Sequence, residues 1–211
     1  MGAPLRRRDT GPALHERAAA DLQYIRGTME RAAEFSAVPG RGGMAMGGVA
    51  LLGAAAAQAV LRAGRGDGAW LVVWVATATV AAGIGAVALT RKAARLSAPL
   101  SRGAGRRFLF CLCPSLVAGA LLTAALARAG AYDVLPGMWL LCYGAGVTAA
   151  GAFSPPVIPA TGGAFVALGA AALVALPGVP AARLFGDVAM AAGFGGLHLV
   201  SGALVARRHG G

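Results

Sequence analysis

His198 stands alone inside an apolar run from Val188 to Ala206, and its residue type and position invite chemistry more than any other in the chain. It lies about nine residues from Arg207 and about eleven from Asp187. That puts it near the middle of a stretch long enough to cross hydrocarbon at about 1.5 Å per residue. An ionisable group at that depth is a functional hypothesis by default. The competing use is a neutral imidazole hydrogen-bonded to a backbone carbonyl, to Tyr143, to Ser115 or to another hydroxyl. Gly195, Gly196 and Gly202 would let a neighbouring backbone come close. Interhelical hydrogen bonding is a common role for polar residues in membrane bundles, so the structural use is the preferred expectation.

Two chemistries could use this residue. Gln58, Tyr143 and His198 could line a polar path in a small transporter or channel, but no intramembrane carboxylate for ion coupling is expected within the apolar runs. Ser115 with His198 would suggest a hydrolytic dyad. No GxSG-like segment accompanies it, however, and Ser115 directly follows Pro114, so a membrane enzyme is the least favoured option. Cys111 and Cys113 form a CxC pair without a nearby histidine, which is incomplete as a soft-metal site. They are read, with Cys142, as small packing residues. His15 and His209 fall in the tails. No catalytic residue, metal ligand or cofactor is assigned, and His198, Tyr143, Ser115 and Gln58 make up the candidate intramembrane polar site.

The elements that must position these residues follow from composition. The 211 residues are 57% hydrophobic and 13% charged, too apolar for an ordinary soluble domain. The net charge of +11 flanks apolar runs instead of forming one basic domain, so direct nucleic-acid binding is not expected. Arginine greatly outnumbers lysine, which looks like the coding bias of a GC-rich bacterial genome. The expected fold class is all-α: a polytopic membrane protein with six transmembrane helices preceded by an amphipathic helix.

Residues 1–40 read as a cytoplasmic basic arm followed by that helix, and residues 41–211 as the transmembrane domain. No apolar segment of signal-peptide type follows Arg6, Arg7 and Arg8. From Ala13 to Ala37 the residues Ala18, Leu22, Ile25, Met29, Ala32 and Phe35 or Ser36 recur at helical spacing, with Arg17–Asp21 and Arg26–Glu30 as i,i+4 pairs. Such a helix can cover its own bundle, lie on the membrane, or meet a cytoplasmic partner through residues 13–37. Pro39 and Gly40 end it.

Spans are expected at about 42–61, 69–90, 108–127, 138–153, 159–176 and 188–206. Ser154 to Thr161 reads as a proline-stiffened turn. With the N-terminus inside, fifteen of the nineteen basic residues fall on the cytoplasmic side, leaving only Arg62, Arg65, Arg128 and Arg183 outside. Both termini are therefore expected in the cytoplasm of a bacterial inner membrane. Trp70, Trp74 and Trp139 sit toward the outer ends of their spans, where interfacial aromatics belong. Each outer loop carries an arginine followed by an acid: Arg65 with Asp67, Arg128 with Asp133, and Arg183 with Asp187. These read as locally compensated pairs. Gly43 and Gly47 form GxxxG, Ala192 and Gly196 a second small pair, and Gly83, Gly85, Gly144, Gly146, Gly163 and Gly169 smooth other spans. Such surfaces suit a tight bundle and also admit a homodimer within the lipid bilayer.

Several segments carry a family resemblance: IRGTMERAAEFSAVPGRGG from Ile25 to Gly43, LPGMWLLCYG from Leu135 to Gly144, GAFS from Gly151 to Ser154, GFGGLHLV, and the terminal ARRHGG. On these the chain resembles an uncharacterised family of small bacterial six-span integral membrane proteins with an N-terminal cytoplasmic amphipathic helix. The resemblance covers nearly everything after residue 15. It implies association with a transcriptional regulator and supplies no catalytic residue. Pro155 and Pro156 depart from the more basic segment of the family.

The function expected is that of a non-catalytic structural or regulatory membrane module. A small transporter or channel with a polar path near His198 is the alternative.

Overall fold

The computed structural model describes residues 11–32, 35–97, 100–152 and 154–209, which form helices and no strand. The chain divides into two units, Met1–Glu34 and Phe35–Gly211, and each is described by itself. The arm over residues 1–10 and the Arg26–Glu30 side chains lie outside what is described.

The first unit contains α1, Gly11–Ala32. Its residues from His15 to Ile25 are exposed, including Leu22 and Ile25 of the expected apolar stripe.

The second unit opens on a segment that corrects the sequence reading. Phe35 to Pro39 is not helical. Phe35 is 1% exposed and packs with Ala37 against Ala93, Phe108 and Ala150. Pro39 disfavours helical geometry at Val38, and burying a phenylalanine ring is worth more than another helical turn. The Phe35 and Phe108 rings lie 5.0 Å apart, and Lys92 Nζ donates to the Val38 carbonyl at 3.1 Å.

Six helical stretches are long and apolar enough to cross a membrane. They are α2 (Gly40–Arg62), α3 (Gly66–Arg95), α4 (Gly103–Arg128), α5 (Leu135–Gly151), α6 (Val157–Ala175) and a last span of three parts. That span joins α7 (Ala182–Met190), a π-helical stretch (Ala191–Leu197) and α8 (His198–His209). The chain is an all-α polytopic membrane protein. Two boundaries matter for the site. A 3₁₀ turn at Tyr132–Val134 leads straight into α5 at Leu135, ahead of the expected start. The last span begins at Ala182, which draws Asp187 into the helix. α4 continues through Pro114.

In space, α3 packs on α2, α2 on the last span, the last span on α6 and α5, and α5 on α6 and α4. α3 and α4 are thus flanks with broad exposed faces. The connections 63–65, 129–134 and 176–181 lie at one end of the bundle, called the hairpin end. At Gly64 (φ +67°) and Gly130 (φ +71°) the last turn closes in the same way. Arg65 N–H reaches Val60 O and Ala131 N–H reaches Leu126 O, a Schellman closure that wants glycine at the left-handed position.

Glycines bring the helix backbones together. Gly137, Gly144 and Gly151 of α5 recur every seven residues, as do Gly162 and Gly169 of α6. A Cβ at Gly144 would meet Val166 N at 2.7 Å, and one at Gly169 would meet Leu141 N at 2.6 Å. The GxxxG pair is used within the chain: Gly47 faces Gly195 and Leu199, and Gly43 faces Gly202. Gly163 and Gly83 face open space instead, and Gly196 touches no neighbouring helix.

Candidate functional site

Two polar layers occupy the interior, and the last span supplies the central residue of each.

The mid-span layer forms around His198, which is 8% exposed. Its Nδ1 lies 2.9 Å from Phe194 O, and its Nε2 lies 2.7 Å from the Tyr143 hydroxyl. A carbonyl can only accept, so Nδ1 carries the proton and donates to it. A charged ring would be costly among these buried aromatic side chains, so Nε2 stays unprotonated and accepts from the Tyr143 O–H. The ring is therefore a neutral imidazole with both nitrogens engaged. Backbone geometry enables this. The His198 N–H bonds Gly195 O, three residues back, and Phe194 O takes the ring N–H. Aromatic rings close the layer: Phe165 lies 4.9 Å from Tyr143 and 5.3 Å from His198, with Phe194 stacked at 6.1 Å from the imidazole. Gly193 makes room for the ends of the Leu140, Leu168 and Phe165 side chains, which would have to shift to admit a Cβ.

The second layer lies at the hairpin end and centres on Asp187, which is 2% exposed. Its Oδ1 accepts from Trp70 Nε1 at 2.9 Å and Trp74 Nε1 at 2.8 Å, and its Oδ2 accepts from Gln58 Nε2 at 2.5 Å. α2, α3 and the last span are thus joined on one carboxylate. Arg183, one helical turn earlier, faces the connections. Its Nη2 meets Asp67 at 3.0 Å and its Nε meets Asp133 at 3.1 Å. The guanidinium also lies 5.1 Å from the Trp70 ring centroid and 5.2 Å from that of Tyr132, within cation–π range. Trp139 stacks on Trp70 at 5.8 Å and donates to Thr123 Oγ1 at 2.7 Å, which adds α4 and α5.

Of the four residues proposed from sequence, only Tyr143 and His198 come together. Gln58 belongs to the Asp187 layer, so the three-residue path does not form. Ser115 sits against Gly146 on the α4–α5 contact. Three further expectations are corrected. Asp187 is a carboxylate inside the last span, so His198 is not the only ionisable residue there. Arg183 pairs with the acids of the other two connections and not with its own. Trp70 and Trp74 point into the protein as donors and are not part of an interfacial belt. In sequence, Asp187 reads as a loop residue beside Arg183, and its own position gives no sign of its buried donors. The available signal was the arrangement Arg183 to Asp187, which places both on one helix face at i,i+4, together with the same spacing of Trp70 and Trp74. Cys111, Cys113 and Cys142 are free thiols.

No protein family, curated protein or solved structure matches the chain. Fold and site together define its class: an all-α, multi-pass membrane protein in which His198 and Asp187 of the last span bond to side chains of other helices.

Proposed function

We propose that this is a non-catalytic structural or regulatory membrane module, in which the six-span bundle is a rigid platform and α1 contacts a cytoplasmic partner. The observation that carries this reading is the engagement of the interior polar groups. Both nitrogens of His198 and both oxygens of Asp187 are bonded to groups of the same chain, which leaves them committed to holding helices together. The exposed stretch of α1 supports the partner role. The distribution of arginines supports both termini in the cytoplasm of a bacterial inner membrane. The resemblance to the six-span bacterial family agrees with the same placement, and a transcriptional regulator is the partner it suggests.

In-membrane crosslinking of the full chain, compared with a chain beginning at Phe35, tests the partner role. Crosslinked species present only with the full chain are expected, and identical patterns would contradict it.

A second reading, a small transporter or channel, is favoured by one observation: the last span carries a buried carboxylate and departs from α geometry just before His198. Proteoliposomes loaded with a pH-sensitive dye separate the two. Proton flux that requires the protein and is abolished by His198→Phe would favour the transporter, and flux at the level of empty vesicles is the expected outcome.

A further inference from the structure

The exposed flank of α3 carries a shallow groove of about 360 Å³ lined by Gly83, Ile84, Val87, Ala88 and Arg91. These positions recur at helical spacing, so they form one strip of the helix surface, about 12 Å long at 1.5 Å per residue. Four of the five are apolar, and the guanidinium stands at the end nearest the α3–α4 connection. Glycine at position 83 provides the floor: a Cβ there would meet no protein atom within 4 Å. An apolar trough closed at one end by a cation matches the two halves of one lipid, an acyl chain and an anionic headgroup.

Charge around the groove fits the same occupant. Arg95 follows Arg91 by one turn on the same strip, and Arg102 and Arg106 are exposed at the start of α4. No aspartate or glutamate occurs between Asp67 and Asp133. The neighbouring Lys92 points inward and donates to the Val38 carbonyl, so it holds the Phe35 segment while Arg91 faces outward. Clusters of basic side chains at a span end, beside an apolar surface, are how membrane proteins select anionic lipids over the zwitterionic majority.

We propose that the α3 groove binds one anionic phospholipid, with Arg91 on its phosphate and an acyl chain laid over Gly83. The wild-type chain is reconstituted in phosphatidylcholine vesicles containing a minor share of phosphatidylglycerol and gently solubilised. Retained lipid is then counted by native mass spectrometry. The wild type should keep phosphatidylglycerol in preference to phosphatidylcholine. Arg91→Gln should lower that retention about fivefold, the effect expected of one arginine at an anionic surface. Gly83→Phe fills the trough from a position with no protein neighbour, so it should fold normally and lose the bound lipid. Arg207→Gln removes the same charge from α8 and should change nothing. Equal losses in Arg91→Gln and Arg207→Gln, or full retention in Gly83→Phe, would overturn the proposal. Displacement of the lipid by inorganic phosphate would overturn it as well, since the acyl chain is then irrelevant.

Discussion

The α5–α6 seam and the hairpin end hold the same bundle together by opposite means. Along the seam, Gly137, Gly144, Gly151, Gly162 and Gly169 let two backbones touch, and no polar side chain is needed. At the hairpin end the helices are held by bonds to a carboxylate and a guanidinium carried on one turn of the last span. In lipid, where excluding apolar surface from water does not drive helices together, these are the two remaining options: fit and hydrogen bonding. A seam of fit tolerates no added volume, while a polar knot tolerates no lost acceptor.

The comparison yields a ranked set of substitutions, each read as a shift in unfolding free energy in mixed micelles. Asp187→Ala should cost most, about 3 kcal/mol or more, because it strands two buried indole donors and the part-buried Gln58 amide, a buried donor left unsatisfied costing about 1–3 kcal/mol. Gly144→Val should cost about 1–3 kcal/mol through overpacking, whereas Gly163→Val, one position on from the seam residue Gly162 and facing open space, should be close to neutral. If the two glycines behave alike, the seam is not a contact of fit. Arg183→Gln should cost only about 1 kcal/mol, since Asp67 and Asp133 are partly exposed and water replaces their partner. Tyr143→Phe should cost least of the interior changes, about 0.6 kcal/mol, a typical interhelical hydrogen bond in a membrane. An ordering in which Arg183 outweighs Asp187 would break the distinction between a buried tie and a surface one.

Much of this architecture was legible in the sequence, because spanning helices announce themselves by length and hydropathy alone. Six long apolar helices overlap the expected runs, although α5 and the last span begin earlier than those runs, and His198 meets Tyr143. What hydropathy does not carry is direction. Trp70 and Trp74 lie near a span end, yet depth along a helix says nothing about which side faces lipid. Gly162 and Gly163 differ by a single position, about 100° of rotation, and only the first enters the seam. The seven-residue recurrence of Gly137, Gly144 and Gly151 is readable in the sequence, but in a chain this rich in glycine it does not stand out from motifs such as GxxxG at Gly43. Asp187 was hidden by its charge, since a carboxylate beside an arginine reads as a loop until its three donors, from residues far away in sequence, are brought to it. Phe35 looked like the next residue of a helical stripe because periodicity cannot detect a chain leaving the helix to fill a gap.

The central claim is that Asp187 is a committed structural acceptor, and hydrogen exchange at the Trp70 and Trp74 indole N–H groups tests it directly. In ¹⁵N-resolved spectra of the full chain in lipid nanodiscs, both indole protons should exchange slowly in the wild type. They should become fast in Asp187→Ala, which removes the oxygen that accepts from both indoles. Fast exchange at both indoles in the wild type would contradict the account.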